Sequence, residues 1–287
     1  MMDRSCLSNS YSNSSERGPT YPELTLINVN PMDVRLPNAD HTGIALAEFL
    51  FALAKEVRKN DNTAVQYQRE HPSGTQRPAS AAEEGSPLTR VEMVHQIQND
   101  LDARTTLLVE SGDSWFNGEY IHLPDGARFE IEMQWGSIGW SVPATMGYAM
   151  ALEPERRVIA MIGDGSFQLT AQEVSTMIYH HLGNITIFLV NNHGYVIESA
   201  IHEGSYNYYK NWDYAALMRA WNAEDGQGLG IKVTTAGELT KAINMAREHT
   251  AGPVLIECQI AHDDYTQEMS DWGKKVSKAN GRPPLPA

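Results

Sequence analysis

The chain has 287 residues, enough for one large domain or one domain plus a smaller piece. Hydrophobic residues at 41% and charged residues at 20% are ordinary for a soluble protein, but 22 Lys and Arg face 36 Asp and Glu, a formal net charge of -14. That balance argues against a nucleic-acid or anionic-membrane surface, since both need concentrated positive charge, while leaving room for an anion held locally by backbone N–H groups and a metal.

Cys6 and Cys258 are the two cysteines, too few for a disulfide framework or a zinc cluster, so a reducing, cytoplasmic setting is expected. No apolar run approaches the roughly 20 residues that span a bilayer. Met1 to Arg17 has Ser and Asn where a signal peptide would be apolar. Residues 1–20 are Ser-rich and read as a disordered tail. Leu24–Val29 reads as a short strand, and the spacing of Ile44, Leu46, Phe49, Leu50, Leu53, Ala54 and Val57 predicts an amphipathic helix. Residues 60–87, with three prolines, two glycines and little periodicity, read as a linker.

A second unit, 88–287, follows. Thr89 stands at capping-box spacing from Glu92, with Val91, Val94, Ile97 and Leu101 expected on one buried face. Strands are expected at Thr105–Glu110, Val158–Ile162, Ile185–Val190 and Pro253–Ile260. Helices are expected at Ser141–Ala151, Ala171–His180, Tyr214–Ala223, Ala236–Glu248 and Glu268–Lys278. Short apolar strands alternating with helices predict an α/β fold, a doubly wound parallel sheet with helices on both faces. Ligands of such folds bind beyond the carboxyl ends of the strands.

Two glycine-flanked turns sit at such ends. Gly163-Asp164-Gly165-Ser166 follows one strand and Asn191-Asn192-His193-Gly194-Tyr195 follows another. Asp164, the Asn192 amide oxygen and the Gly194 carbonyl make three oxygen donors, a set that suits Mg²⁺ bridging to a diphosphate. Each turn taken alone also reads as a turn or a helix cap; the two together favour the cation site. His180-His181 reads as a helix C-terminal cap. His193 lies between candidate ligands without needing to face a metal. Tyr206, Tyr208, Tyr209, Trp212 and Tyr214 read as core and subunit interface.

The segment from Gly163-Asp164-Gly165 to Asn191-Asn192 resembles the thiamine-diphosphate motif. Around it, Glu110–Phe116, Met133–Trp140, Gly163–Glu173, Asn192–Glu198, Asn211–Tyr214 and Trp272–Lys275 resemble the pyruvate decarboxylase family of 2-oxo acid decarboxylases. The likeness runs from about Pro87 to the C-terminus, and residues 21–59 resemble the tail of that family's middle domain. It implies thiamine diphosphate and Mg²⁺ as cofactors and non-oxidative decarboxylation of a 2-oxo acid, pyruvate first among candidates.

The resemblance also implies roles. Asp164, Asn192 and Gly194 would hold Mg²⁺. Asp113, Gly165 and Ser166 would lie along the diphosphate and thiazolium, with Ser111 and Tyr195 as further cofactor contacts. The Gly136 carbonyl would take the aminopyrimidine amino group, and Ile138 would keep the cofactor bent. Glu198 would serve in substrate binding, decarboxylation and proton transfer; without the resemblance it is a helix-start carboxylate. Nothing in residues 1–87 resembles the family's first domain, which supplies a glutamate for the pyrimidine ring and two catalytic histidines. The expected partner is therefore a homo-oligomer or a chain carrying that domain. The alternative is an inactive cofactor-binding fragment or regulatory subunit associated with full-length enzyme; a third reading is a doubly wound domain for another phosphate ligand or a protein.

Overall fold

The computed structural model describes residues 28–29, 33–36, 39–58, 61–62, 65–66, 69, 82–153 and 155–281. Two compact units divide the chain, residues 1–77 and 78–287. The expected tail at 1–20 and most of the expected linker lie outside the described residues.

The first unit holds a three-stranded antiparallel sheet of β1 (Asn28–Val29), β2 (Asp33–Leu36) and β3 (Ala39–Thr42), in that order. Helix α1 (Leu46–Glu56) follows and falls within the expected span. Of the predicted strand at Leu24–Val29, the described part is β1. The hairpin of β2 and β3 has no apolar alternation to announce it, since DVRL and ADHT are half polar.

The second unit is a six-stranded parallel sheet in the order β5-β4-β6-β7-β9-β8. Its strands are β4 (Thr105–Val109), β5 (Arg128–Ile131), β6 (Arg157–Gly163), β7 (Ile185–Asn191), β8 (Leu229–Val233) and β9 (Val254–Gln259). Strands β4, β6, β7 and β9 are almost wholly buried, and they are the four that the apolar runs predict. Edge strands β5 and β8 were not anticipated. Each is short and half-exposed, so neither reads as a continuous apolar run.

Helices cover both faces, as the alternating pattern requires. On one, α2 (Arg90–Asp100) and the helix Ala236–Glu248 place Met93, Val94, Ile97, Leu239 and Ile243 against Leu107, Ile159, Phe188 and Ile256. On the other, the helices Ser141–Ala151, Glu173–Tyr179 and Tyr214–Asn222 pack Val142, Val174, Met177, Tyr214 and Met218 against Leu108, Ala160 and Ile187. Thr89 caps α2 by accepting the Glu92 N–H. Val91 departs from expectation and is 54% exposed, with Met93 buried in its place. The stripe 93-94-97-101 faces the sheet, and Val91 lies roughly 100° round the helix from its centre. Residues 84–88 join this unit by backbone hydrogen bonds to Thr234, Ala236 and Gly237. Among the described residues no helix is long and apolar enough to cross a membrane.

Phe188 sits fully buried in β7 at the centre of the sheet. Truncation there leaves a cavity that neighbouring strands cannot close, so Phe188→Ala is expected to cost about 3–5 kcal/mol in urea-unfolding measurements. Val91→Ala, on the exposed side of α2, is expected to cost under about 0.5 kcal/mol.

Candidate active site

The strand order reverses at β4 in this parallel sheet, with β5 added on one side and β6 on the other. A crevice therefore opens at the carboxyl ends of β4, β6 and β7. A cavity of about 300 Å³ lies there. Ser111, Asp113, Ile138, Asp164, Gly165, Ser166, Asn192, Gly194, Tyr195 and Glu198, all expected site residues, line it. Gly136 does not. It has φ +60 and lies against Trp115, two residues before Ile138 in the chain.

The two glycine-flanked turns meet directly. Strands β6 and β7 pair in parallel with Gly163 beside Val190, so their ends emerge together. Asp164 does not sit in a free turn but opens a seven-residue helix, Asp164–Thr170. One of its carboxylate oxygens accepts the Gly165 N–H at 3.0 Å, and the other accepts the backbone N–H of His193 at 3.0 Å. His193 is left-handed at φ 66. Its ring meets the Asn211 amide at 2.8 Å.

Close approach explains both glycines of the pair. A Cβ on Gly165 would come within 2.5 Å of the Tyr195 ring, and one on Gly194 within 3.0 Å of the Asn207 carbonyl. Asn192 is buried, and its carbonyl accepts from His262 Nδ1 at 2.8 Å. Asn191 faces away into the sheet. Its amide donates to Glu257 and its oxygen accepts from Asn211, so it anchors the turn.

The Asp164 carboxylate is 1% exposed. Among the described residues it forms no ion pair. Burial pushes it up to about 6, against the downward pull of the Tyr209 hydroxyl and of the Gly165 and His193 N–H groups. A buried carboxylate without a counter-charge fits a cation that the protein does not supply. With the Asn192 amide and the Gly194 carbonyl beside it, the donor set is hard oxygen, which suits Mg²⁺. Among the described residues no cluster of three or more His, Cys, Asp or Glu could hold a metal ion.

A second wall follows β4. Gly112, at φ 100, leads into the short helix Asp113–Gly118. One Asp113 oxygen accepts from Asn117 at 2.9 Å and the other, buried, has no hydrogen-bond partner. Burial pushes Asp113 up to about 6, only partly offset by Asn117 and Arg90. Facing it, the loop 132–141 carries Ile138. Two carboxylates hold that loop: Glu132 accepts the N–H groups of Trp135 and Ser137, and buried Glu110 accepts those of Ser111, Gly139 and Ser141 plus the Ser141 hydroxyl. Gly139, with φ 86, leaves no room for a Cβ beside Leu169.

Glu198 lies at the exposed rim, in the first turn of the helix Val196–Ile201. His180 and His181 lie at the end of the helix Glu173–Tyr179 and do not line the cavity. The aromatic cluster splits: Tyr214 is core, whereas Tyr206, Tyr208 and Trp212 are exposed. Glu110 and His262, which hold the loop and the Asn192 turn, had no assigned role in the sequence. The signal available was position alone, since both fall at or just beyond strand ends.

Asp113 makes stability depend on pH. Its folded value of about 6 exceeds the ordinary 3.8, so between these the folded chain keeps a proton that the unfolded chain has lost. Stability therefore falls as pH rises from about 4 to about 6 and then levels off. Asp113→Asn removes that penalty; its advantage over the parent should grow through this window to on the order of 2 kcal/mol. A gap independent of pH in urea unfolding would contradict the assignment.

Residues 114–258 match the model for the thiamine pyrophosphate enzyme C-terminal TPP binding domain. The chain is 51% identical over 278 residues to "Probable pyruvate decarboxylase Pdc101" of Schizosaccharomyces pombe, covering 97% of this chain and 48% of that protein. It is 49% identical to "Pyruvate decarboxylase" of Neurospora crassa (92% and 45% covered) and 45% identical to "Pyruvate decarboxylase 2" of Arabidopsis thaliana (90% and 42%). It thus spans about half the length of the curated relatives it matches. The strand order, the crevice and these likenesses agree, and the chain belongs to the thiamine pyrophosphate enzyme family through its C-terminal TPP-binding domain.

Proposed function

We propose that this chain binds thiamine diphosphate through Mg²⁺ and takes part in the non-oxidative decarboxylation of a 2-oxo acid, most simply pyruvate to acetaldehyde and CO₂. The observation that carries the reading is the buried, unpaired Asp164 carboxylate at the meeting point of two strand ends. Relatives named pyruvate decarboxylase support the choice of reaction. The free, buried Cys258 thiol is in keeping with a cytoplasmic setting.

Asp164, Asn192 and the Gly194 carbonyl would hold the cation. Ser111, Asp113, Gly165, Ser166 and Tyr195 line the same cavity and would bound the diphosphate end. Ile138, on its clamped loop, offers an apolar surface that shapes the cofactor, and the Gly136 carbonyl is the candidate acceptor for its amino group. When bound, the cofactor supplies an electron sink for the pair released as CO₂ departs. Glu198, which lines the cavity at its rim, would meet the substrate and hold the proton that passes to product.

The site calls for a second wall. Met133 and Trp135 on the clamped loop and Leu169 on the adjoining helix are 59%, 64% and 51% exposed. Exposed apolar side chains of this size suit a protein face. A homologous chain carrying a pyrimidine-binding domain would supply that face, with the acid–base groups such a domain brings.

Calorimetric titration with thiamine diphosphate should show binding that requires Mg²⁺ and is abolished by Asp164→Ala. Metal-independent binding, or no effect of Asp164→Ala, would count against the cation site. Pyruvate turnover should be undetectable for the purified chain and should change when a full-length pyruvate decarboxylase is added; robust acetaldehyde release by the chain alone would overturn the need for a partner.

A further inference from the structure

Over Gly165 lies a pair of tyrosines, one of which has no role in the site so far. The Tyr195 ring lines the cavity, and the Tyr209 ring packs on it at 4.8 Å between centroids. A Cβ on Gly165 would stand 2.8 Å from the Tyr209 hydroxyl, which therefore hangs over the backbone just after Asp164. That hydroxyl is buried and meets no acceptor at hydrogen-bond geometry among the described residues, although it lies close enough to the Asp164 carboxylate to pull that group's pKa down. Its neighbour Tyr214 differs, since the Tyr214 hydroxyl accepts from Gln168 at 2.9 Å and reaches the Asp164 carbonyl. A buried hydroxyl without a partner is costly, so the position calls for one.

The nearest acceptor is the Asp164 carboxylate. Its two oxygens already take the N–H groups of Gly165 and His193. A carboxylate has about four lone-pair sites. Two remain, enough for one cation and one further donor. A phenol keeps its proton at neutral pH, so the Tyr209 hydroxyl is available as a donor.

We propose that Tyr209 is a positioning residue for the cation site, its hydroxyl donating a third hydrogen bond to the Asp164 carboxylate when that carboxylate holds a cation. This rests on the reading of Asp164 as a cation ligand. Three donors would fix the carboxylate's orientation and leave one lone pair aimed into the cavity. Outer groups of this kind typically govern metal affinity by 10–100-fold.

Tyr209→Phe keeps the ring on Tyr195 and removes the hydroxyl alone. Without ligands its melting temperature should equal or slightly exceed the parent's, because no existing hydrogen bond is lost. Mn²⁺ affinity, titrated in saturating thiamine diphosphate, should weaken roughly 10-fold. Mn²⁺ addition should also give a tyrosine difference-absorption signal in the parent that the variant lacks. If the parent binds Mn²⁺ and Tyr209→Phe binds it equally, Tyr209 has no positioning role while the Asp164 reading stands. A variant that melts earlier with unchanged affinity has lost a structural contact, which overturns the proposal. A parent that binds no Mn²⁺ overturns the Asp164 reading and this one with it.

Discussion

The hydrogen bond from the backbone of His193 to the side chain of Asp164 holds the candidate site together. It exists because β6 and β7 are neighbours in parallel register, with Gly163 level with Val190. A shift of one residue in that pairing would move every buried side chain of β7 to the opposite face. Both faces of β6 and β7 are close-packed with side chains of different shape, and that packing resists the slip. The core therefore fixes the site: two hydrophobic layers set the register, and the register sets which backbone N–H reaches Asp164.

The same packing explains the electrostatics. Helices on both faces exclude water from the strand ends, and burial raises Asp113 and Asp164 alike. They differ in their surroundings. Asp113 has Arg90 near enough to ease its charge, whereas Asp164 has only N–H and hydroxyl dipoles. A cation at Asp164 would reverse the cost of burial and restore the ionised carboxylate. Carboxylates elsewhere are spent on structure. Glu110 and Glu132 clamp the loop that carries Ile138, and Glu257 ties Asn191 to the sheet.

The four buried strands were legible because central parallel strands are apolar on both faces, and the helices because their apolar residues recur at helical spacing. The ends Ser141–Ala151 and Ala236–Glu248 were read without error. Edge strands β5 and β8 were not, since Arg128, Lys232 and their neighbours break the apolar run. Two short helices, beginning at Asp113 and Asp164, are not legible in the sequence, whereas the helix start at Glu198 is. Each has six or seven residues, too few for a periodic signal. Residues at strand ends were legible as a set, through their glycines, acids and amides, and ten of the eleven expected ones meet in one cavity. What holds them was not: the Glu110 clamp and the His262 contact with Asn192 depend on segments far apart in the chain.

The central claim is that two strand-end turns form a cation–diphosphate cradle. The most direct measurement is a crystal structure of the chain soaked with thiamine diphosphate and Mn²⁺, with anomalous scattering used to locate the metal. The account predicts one Mn²⁺ coordinated by Asp164, the Asn192 amide oxygen and the Gly194 carbonyl, with phosphate oxygens completing the shell at about 2.1 Å. Metal bound elsewhere, or diphosphate bound in the cavity with no metal touching Asp164, would contradict it.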